Sequence, residues 1–114
     1  MKININKKDK ILCAKYRPGH FEGVLAVIHE FLSNIKVKYM FLGKKDYQQI
    51  YLIKKHIKKM KIKTKMIECK TIREEKGIAC SSRNFNLSKN QLMTACDIYK
   101  YLVSIKKKIK NNFK

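Results

Sequence analysis

Val37 to Gln49 reads VKYMFLGKKDYQQ, and this stretch decides the fold. Val37, Tyr39, Met40, Phe41 and Leu42 form a short apolar run, interrupted by Lys38 and closed by Gly43. A run of that length, rich in β-branched and aromatic residues, predicts a strand buried on both faces. Lys44, Lys45 and Asp46 follow, and then an amphipathic helix. Open α/β sheets receive anionic ligands where a strand ends in glycine and turns into a helix start. The free N–H groups of the first turn carry partial positive charge there, and two lysines stand beside them. Every βα junction has such a turn, so the signal gains weight only in combination.

The pattern extends outward on both sides. Arg17-Pro18-Gly19 predicts a turn, with Pro18 stopping any regular element before it. From His20, the residues Phe21, Val24, Leu25, Ile28, Phe31, Leu32 and Ile35 fall on one helical stripe. Beyond the central strand, a helix over 46–60 places Ile50, Ile53, Ile57 and Met60 on one face. Met66, Ile67 and Cys69, opened by Thr64, predict a second strand. Strand, helix and strand in this order make a right-handed crossover with parallel strands. The stretch 70–87 has no clean period, and Gly77, Ser81, Ser82, Asn84 and Asn86 supply turn chemistry. A connection of that length in a compact domain is usually functional or disordered. Ser88 with Gln91 predicts a capping box opening a last helix, whose stripe runs through Leu92, Ala95, Cys96, Tyr99, Leu102 and Val103. Residues 106–114 read as a basic tail. Met1 to Lys10 reads as an edge strand or a frayed start.

The 114 residues suffice for one domain with a modest core. Against 8 acidic residues stand 28 Lys and Arg, a formal charge of +20. On charge alone the class would be a nucleic-acid or acidic-surface binder. The lysines are spread along the whole chain, however, and accompany abundant isoleucine and asparagine, as an A/T-rich coding bias would produce. Cys13, Cys69, Cys80 and Cys96 show no metal-ligand spacing and no C-x-x-C pair. With no apolar leader at Met1-Lys2-Ile3-Asn4, they predict reduced thiols in a cytoplasmic protein.

Several residue groups have both a bland and a chemical reading. Asp46 and Gln49 stand at N-cap and N3 spacing, and a capping pair would account for both. His20, His29 and His56 are scattered, so solvated or helix-surface histidines are expected, and no metal site is expected. Lys106, Lys107 and Lys108 read as a solvated helix face. Ser81-Ser82-Arg83-Asn84 offers two hydroxyls and a guanidinium suited to phosphate oxygens, although the string alone is common.

Taken together, RPGHFEGVLAVIHEFL, FLGKKDYQQIYLIKKHIKKM and KTIREEKGIACSSRNFNLS, in this order and spacing, closely resemble pantothenate synthetase (pantoate–β-alanine ligase) from about Leu12 to Leu102. The resemblance implies an α/β, Rossmann-like nucleotidyl-transferase sheet. Residues 1–80 would be the second half of the nucleotide-binding domain. Residues 81–114 would be a phosphate-binding segment and the first helix of a second domain. It also implies ATP and Mg²⁺ as cofactors, with pantoate and β-alanine condensed through a pantoyl-adenylate. Gly43, Lys44, Lys45 and Asp46 match the family's ATP-binding segment, with Lys45 near the phosphates and Asp46 on the ribose. Gln49 matches the glutamine that holds pantoate. Ile72 lies where a backbone group meets adenine. Cys80, Ser81, Ser82 and Arg83 match a mobile phosphate-binding segment, and Arg17 and His20 the turn beside the site. Lys45 and Arg83 are the expected catalytic cations.

Two departures accompany the likeness. Cys80 stands where the family has methionine or leucine, and nothing here matches the family's amino-terminal M-G-x-L-H-x-G-H segment. The expectation is an internal or truncated portion, inactive alone, with a homodimer or a complementing amino-terminal fragment as partner. Neither a membrane nor a specific nucleic acid is expected to bind. The alternative is a small basic nucleic-acid-binding module. It would need a contiguous basic face with exposed aromatics, whereas Tyr47 and Tyr51 are expected to be partly packed.

Overall fold

Two short strands, β1 (Tyr39–Gly43) and β2 (Lys65–Cys69), pair in parallel with Tyr39 opposite Lys65 and Gly43 opposite Cys69. The computed structural model describes residues 3–112. Before the strands come a single helical turn, α1 (Cys13–Tyr16), and α2 (His20–Asn34). The crossover between the strands is α3 (Tyr47–Lys59), as the apolar spacing predicts, and α4 (Lys89–Asn112) closes the chain. The chain packs as two compact units, Met1–Lys70 and Thr71–Lys114.

The core of the first unit lies between α2, α3 and one face of the strand pair. Phe21, Leu25 and Leu32 from α2 meet Leu52, Ile53 and Ile57 from α3, with Met40, Leu42 and Met66 of the strands packed against them. Ile53 is fully buried. Burying a side chain of that size contributes about 1.5–3 kcal/mol, so these six residues supply much of what holds the unit together. On α2, Phe31 and Ile35 continue the stripe in sequence but are exposed.

Three local features follow from chain chemistry. In the Arg17-Pro18-Gly19-His20 turn, Gly19 has φ 78° and ψ −15°, and the His20 N–H donates to the Arg17 carbonyl at 3.2 Å. Those angles belong to the third residue of a type II turn, where glycine is the natural occupant. At the end of α3 the Ile62 N–H donates to the Ile57 carbonyl (3.0 Å) and the Lys61 N–H to the Lys58 carbonyl (3.2 Å). This is a Schellman cap, but its left-handed position (φ 52°) is held by Lys61, not by glycine. The capping box of α4 forms as expected, with the Ser88 N–H donating to Gln91 Oε1 (2.8 Å) and the Gln91 N–H to Ser88 Oγ (3.3 Å).

The structure corrects several expectations. β1 is not buried on both faces: Met40 and Leu42 face the core, while Tyr39 and Phe41 are exposed. Within the first unit, α2 and α3 pack on the face that carries Met40 and Leu42. His56 is buried, and its Nε2 lies 3.1 Å from Nδ1 of His29, so two of the three histidines form a pair between α2 and α3. Tyr47 and Tyr51 are exposed. Residues 106–112 are helical, as part of α4, and Leu102 is exposed.

The connection expected to be irregular is ordered in the second unit. Arg73 bridges Ala79 in antiparallel fashion, and the Gly77 N–H donates to the Glu74 carbonyl at 2.8 Å, with Gly77 at φ 92°. A Cβ on Gly77 would sit 2.2 Å from the Tyr99 ring of α4, and the Arg73 guanidinium stacks on the same ring at 4.1 Å. Gly77 is therefore required for both its backbone angle and its lack of a side chain.

Burial, then the neighbouring His29 and Lys59, hold His56 below the ordinary histidine pKa. The unfolded chain binds that proton more readily. The contribution to stability is therefore full above the usual histidine range and is lost as pH falls from there towards the lower folded value. Thermal denaturation at about pH 7.5 and pH 5.5 is expected to show a drop that is smaller in His56→Leu; equal drops in both proteins would refute the assignment. Relieving the left-handed lysine at the α3 cap, Lys61→Gly should raise stability by about 1 kcal/mol in urea titrations. A neutral or negative result would show that Lys61 is not strained.

Candidate functional site

Gly43 ends β1 with φ −72° and ψ 133°, an ordinary extended conformation, and a Cβ built on it meets nothing within 4 Å. The backbone does not require glycine here; what it provides is open space over the carboxyl end of the strand. Lys44, Lys45 and Asp46 then form one turn of 3-10 helix, all three exposed, and α3 begins at Tyr47. Asp46 is the N-cap residue of α3, as its spacing predicts, but its side chain makes no capping hydrogen bond. Gln49 is half-buried one turn on, and its side chain makes no hydrogen bond among the described residues. The reciprocal capping pair that would have explained both residues does not form. Its geometric reason is the intervening 3-10 turn, which leaves Asp46 at φ −98°, ψ 64°.

The lysines of this corner are not equivalent. Lys44 Nζ lies 3.4 Å from Glu68 Oε2, and Lys54 bonds the other oxygen of the same carboxylate. The Lys54 hydrogen bond, and then that from Lys44, hold the Glu68 carboxyl below its usual range. Lys45 enters no ion pair among the described residues, so its ammonium is available to an incoming anion. Glu68 was not singled out from the sequence. It stands opposite Leu42 in the strand register, one residue from the end of β2, and only the parallel pairing brings it beside Lys44.

Arg17 is exposed in the turn before α2, and His20 opens that helix with its ring tilted against Phe21 at 4.9 Å. Both belong to the first unit, as do Gly43 to Gln49.

The remaining predicted residues lie in the second unit. The Ile72 carbonyl accepts from the Cys80 N–H (3.0 Å) across the hairpin, while the Ile72 side chain is exposed. Cys80 is an exposed free thiol. Ser81 caps the 3-10 turn Ser82–Asn86, its Oγ accepting from the Arg83 N–H at 3.2 Å. Asn84 donates to Glu74 Oε1 (2.6 Å) and to the Ala79 carbonyl (3.1 Å), fastening this turn to the hairpin. Arg83 is exposed, with no ion pair among the described residues. Cys80 to Arg83 thus share one corner, with Ser81 capping the turn that carries Ser82 and Arg83. No group of three His, Cys, Asp or Glu side chains among the described residues could hold a metal ion. No helix among them is long and apolar enough to cross a membrane.

Comparison with known proteins places these corners in context. The family profile for pantoate-beta-alanine ligase matches residues 1–114. Pantothenate synthetase of Cytophaga hutchinsonii is 40% identical over 98% of this chain, and that of Francisella tularensis subsp. mediasiatica 47% identical over 81%. The chain spans 40% of the length of the first and 35% of the second. Among solved structures, the pantothenate synthetase of Thermus thermophilus superposes over 98% of this chain and 41% of its own, with TM-score 0.92 and 26% identity. The Francisella tularensis pantoate-beta-alanine ligase, solved with beta-gamma ATP and beta-alanine, covers 88% of this chain and 39% of its own, with TM-score 0.81 and 42% identity. The α/β architecture is accordingly the Rossmann-like nucleotidyl-transferase fold of those enzymes. With the profile matched along the whole length, and relatives this similar over nearly all of it, the chain belongs to the pantoate-beta-alanine ligase family.

Proposed function

We propose that this chain carries the nucleotide- and pantoate-binding corners of a pantoate–β-alanine ligase, which condenses (R)-pantoate with β-alanine through a pantoyl-adenylate at the expense of ATP. The observation that carries this reading is the free chemistry at the end of β1. Asp46 and Gln49 lack the capping bonds that would explain them, Lys45 has no counter-ion among the described residues, and the space over Gly43 is open. Polar groups held ready at the carboxyl end of a parallel strand suit an anionic nucleotide.

The roles follow from charge. Adenylation joins the pantoate carboxylate to the α-phosphorus and releases pyrophosphate, so negative charge builds on the phosphoryl oxygens. Lys45 and Arg83 supply cations for that charge, and the Ser81 and Ser82 hydroxyls donate to phosphate oxygens. Gly43 lets the nucleotide approach the backbone, Asp46 accepts from the ribose and Lys44, steadied by Glu68, borders the phosphates. Gln49 orients pantoate so that its carboxylate lies in line with the α-phosphorus. The Ile72 backbone meets adenine, Cys80 fills the apolar space beside it, and Arg17 and His20 flank the pocket. In the second step the β-alanine amine attacks the acyl carbon and AMP leaves.

The described side chains offer no cage for Mg²⁺. That ion commonly keeps its waters and rides on substrate phosphates. The stretch spans 40% of a relative's length, and we take it to need the remaining portion of a ligase, supplied in cis or in trans, for turnover.

ATP titrated into the purified chain by calorimetry should bind, and Lys45→Met should weaken it by about tenfold or more, as loss of a charge-assisted contact implies. Unchanged affinity would remove Lys45 from the site. Gly43→Ala should leave the melting temperature unaltered, because its backbone angles suit alanine and its Cβ meets nothing, yet reduce ATP binding. If ATP binding survives that change intact, no ligand passes over Gly43. Pantothenate formed by the chain alone from ATP, Mg²⁺, pantoate and β-alanine would contradict the need for a complementing portion.

A further inference from the structure

A cavity of about 140 Å³ opens in the first unit, away from the corner just described: none of the residues from Gly43 to Gln49 lines it. It is close in size to an engineered apolar cavity of about 150 Å³ that takes up benzene, so it has room for a molecule of roughly six heavy atoms. Its aliphatic wall comes from Ile3 and Ile5 of the amino-terminal segment, Leu25 of α2, and Leu52 and Met60 along and just beyond α3. Its polar wall comes from Asn4, Asn6, Asp9, Lys55, His56 and Lys59.

The charges on that wall do not cancel. Asp9 is buried, with Oδ2 bound to Lys55 Nζ at 2.5 Å, and Oδ1 accepting from the Tyr51 hydroxyl at 3.4 Å. Asp9 and Lys55 therefore neutralise each other. Lys59 enters no ion pair among the described residues, and His56 turns its Nε2 to His29. What remains is one unmatched ammonium, one imidazole and the neutral amides of Asn4 and Asn6, set opposite the aliphatic wall. A cationic guest would face Lys59 without a free anion to hold it. A phosphate would place a strongly hydrated dianion against five aliphatic side chains, which costs far more than one ammonium returns. A guest with a single negative charge and a short hydrocarbon body meets both walls.

We infer that this cavity binds a short-chain aliphatic monocarboxylate, its carboxylate on Lys59 and its hydrocarbon body against Leu25, Leu52 and Met60. The site is independent of the nucleotide reading, and either can fail alone. Binding is coupled to protonation at the His29–His56 pair. The groups facing His56 are His29 from α2, Lys55 and Lys59 on its own helix, and Asp9 from the amino-terminal turn. In the empty cavity the unmatched Lys59 opposes a proton on His56, and Asp9 gives little relief because Lys55 already holds it. A bound carboxylate offsets that opposition, so the complex takes up protons and tightens as pH falls towards the histidine range.

Butyrate titrated into the full chain, followed by methyl NMR signals of Leu25, Leu52 and Met60, tests this. Saturable shifts are expected, with butyramide binding about tenfold more weakly for want of the charge. Lys59→Met should weaken butyrate to a similar extent while leaving the methyl spectrum of the free chain in place, since Lys59 is exposed. Affinity at about pH 6 should exceed that at about pH 7.5. Equal binding of butyrate and butyramide, indifference to Lys59→Met, or shifts that never saturate would overturn the assignment. Shifts confined to signals around Gly43 to Gln49 would do the same, by placing the carboxylate in the other corner.

Discussion

The parallel register of β1 on β2 is the constraint on which the first unit depends. Two parallel strands cannot be joined by a tight turn, so the chain between them must leave the sheet, cross it and return. It does so as α3, and the crossover is what buries Ile53 and sets Ile57 and Leu52 against α2. The same register brings the ends of both strands to one edge, with Gly43 opposite Cys69 and Glu68 within reach of Lys44. Core and candidate corner are two consequences of one pairing.

The surplus of positive charge is managed by a few well-placed acids. Glu68 takes Lys44 and Lys54, and Asp9 takes Lys55. These pairs are partly or largely exposed on the lysine side, so their worth lies less in stability than in selection of which cations stay free. Lys45 at the end of β1 and Lys59 beside the cavity are two of the many lysines that enter no ion pair among the described residues.

The second unit is held by a different kind of contact. Among its described residues the one buried hydrophobic side chain is Cys96, and order in Thr71 to Asn86 comes from polar fastening and close approach instead. Asn84 ties the serine turn to the hairpin, and Gly77 lies against the Tyr99 ring that Arg73 also covers. Hydrogen bonds and a stacked guanidinium fix a loop's shape without a large apolar core.

The sequence by itself determined the elements whose signal is local and periodic. The stripes of α2 and α3, the glycine-proline turn before His20, the capping box at Ser88 and the order strand, helix, strand were all legible. Three motifs in fixed order were enough to name the family. What the sequence could not determine were contacts between residues far apart along it. Whether the outer face of β1 is covered depends on what packs there, and Tyr39 and Phe41 proved exposed. Whether Asp46 and Gln49 cap α3 depended on a single 3-10 turn. The histidine pair joins residues 27 apart, and Gly77 meets a ring on another element. Helical period reads only the face a residue occupies; tertiary structure decides its neighbour, because that neighbour is set by how whole elements cross.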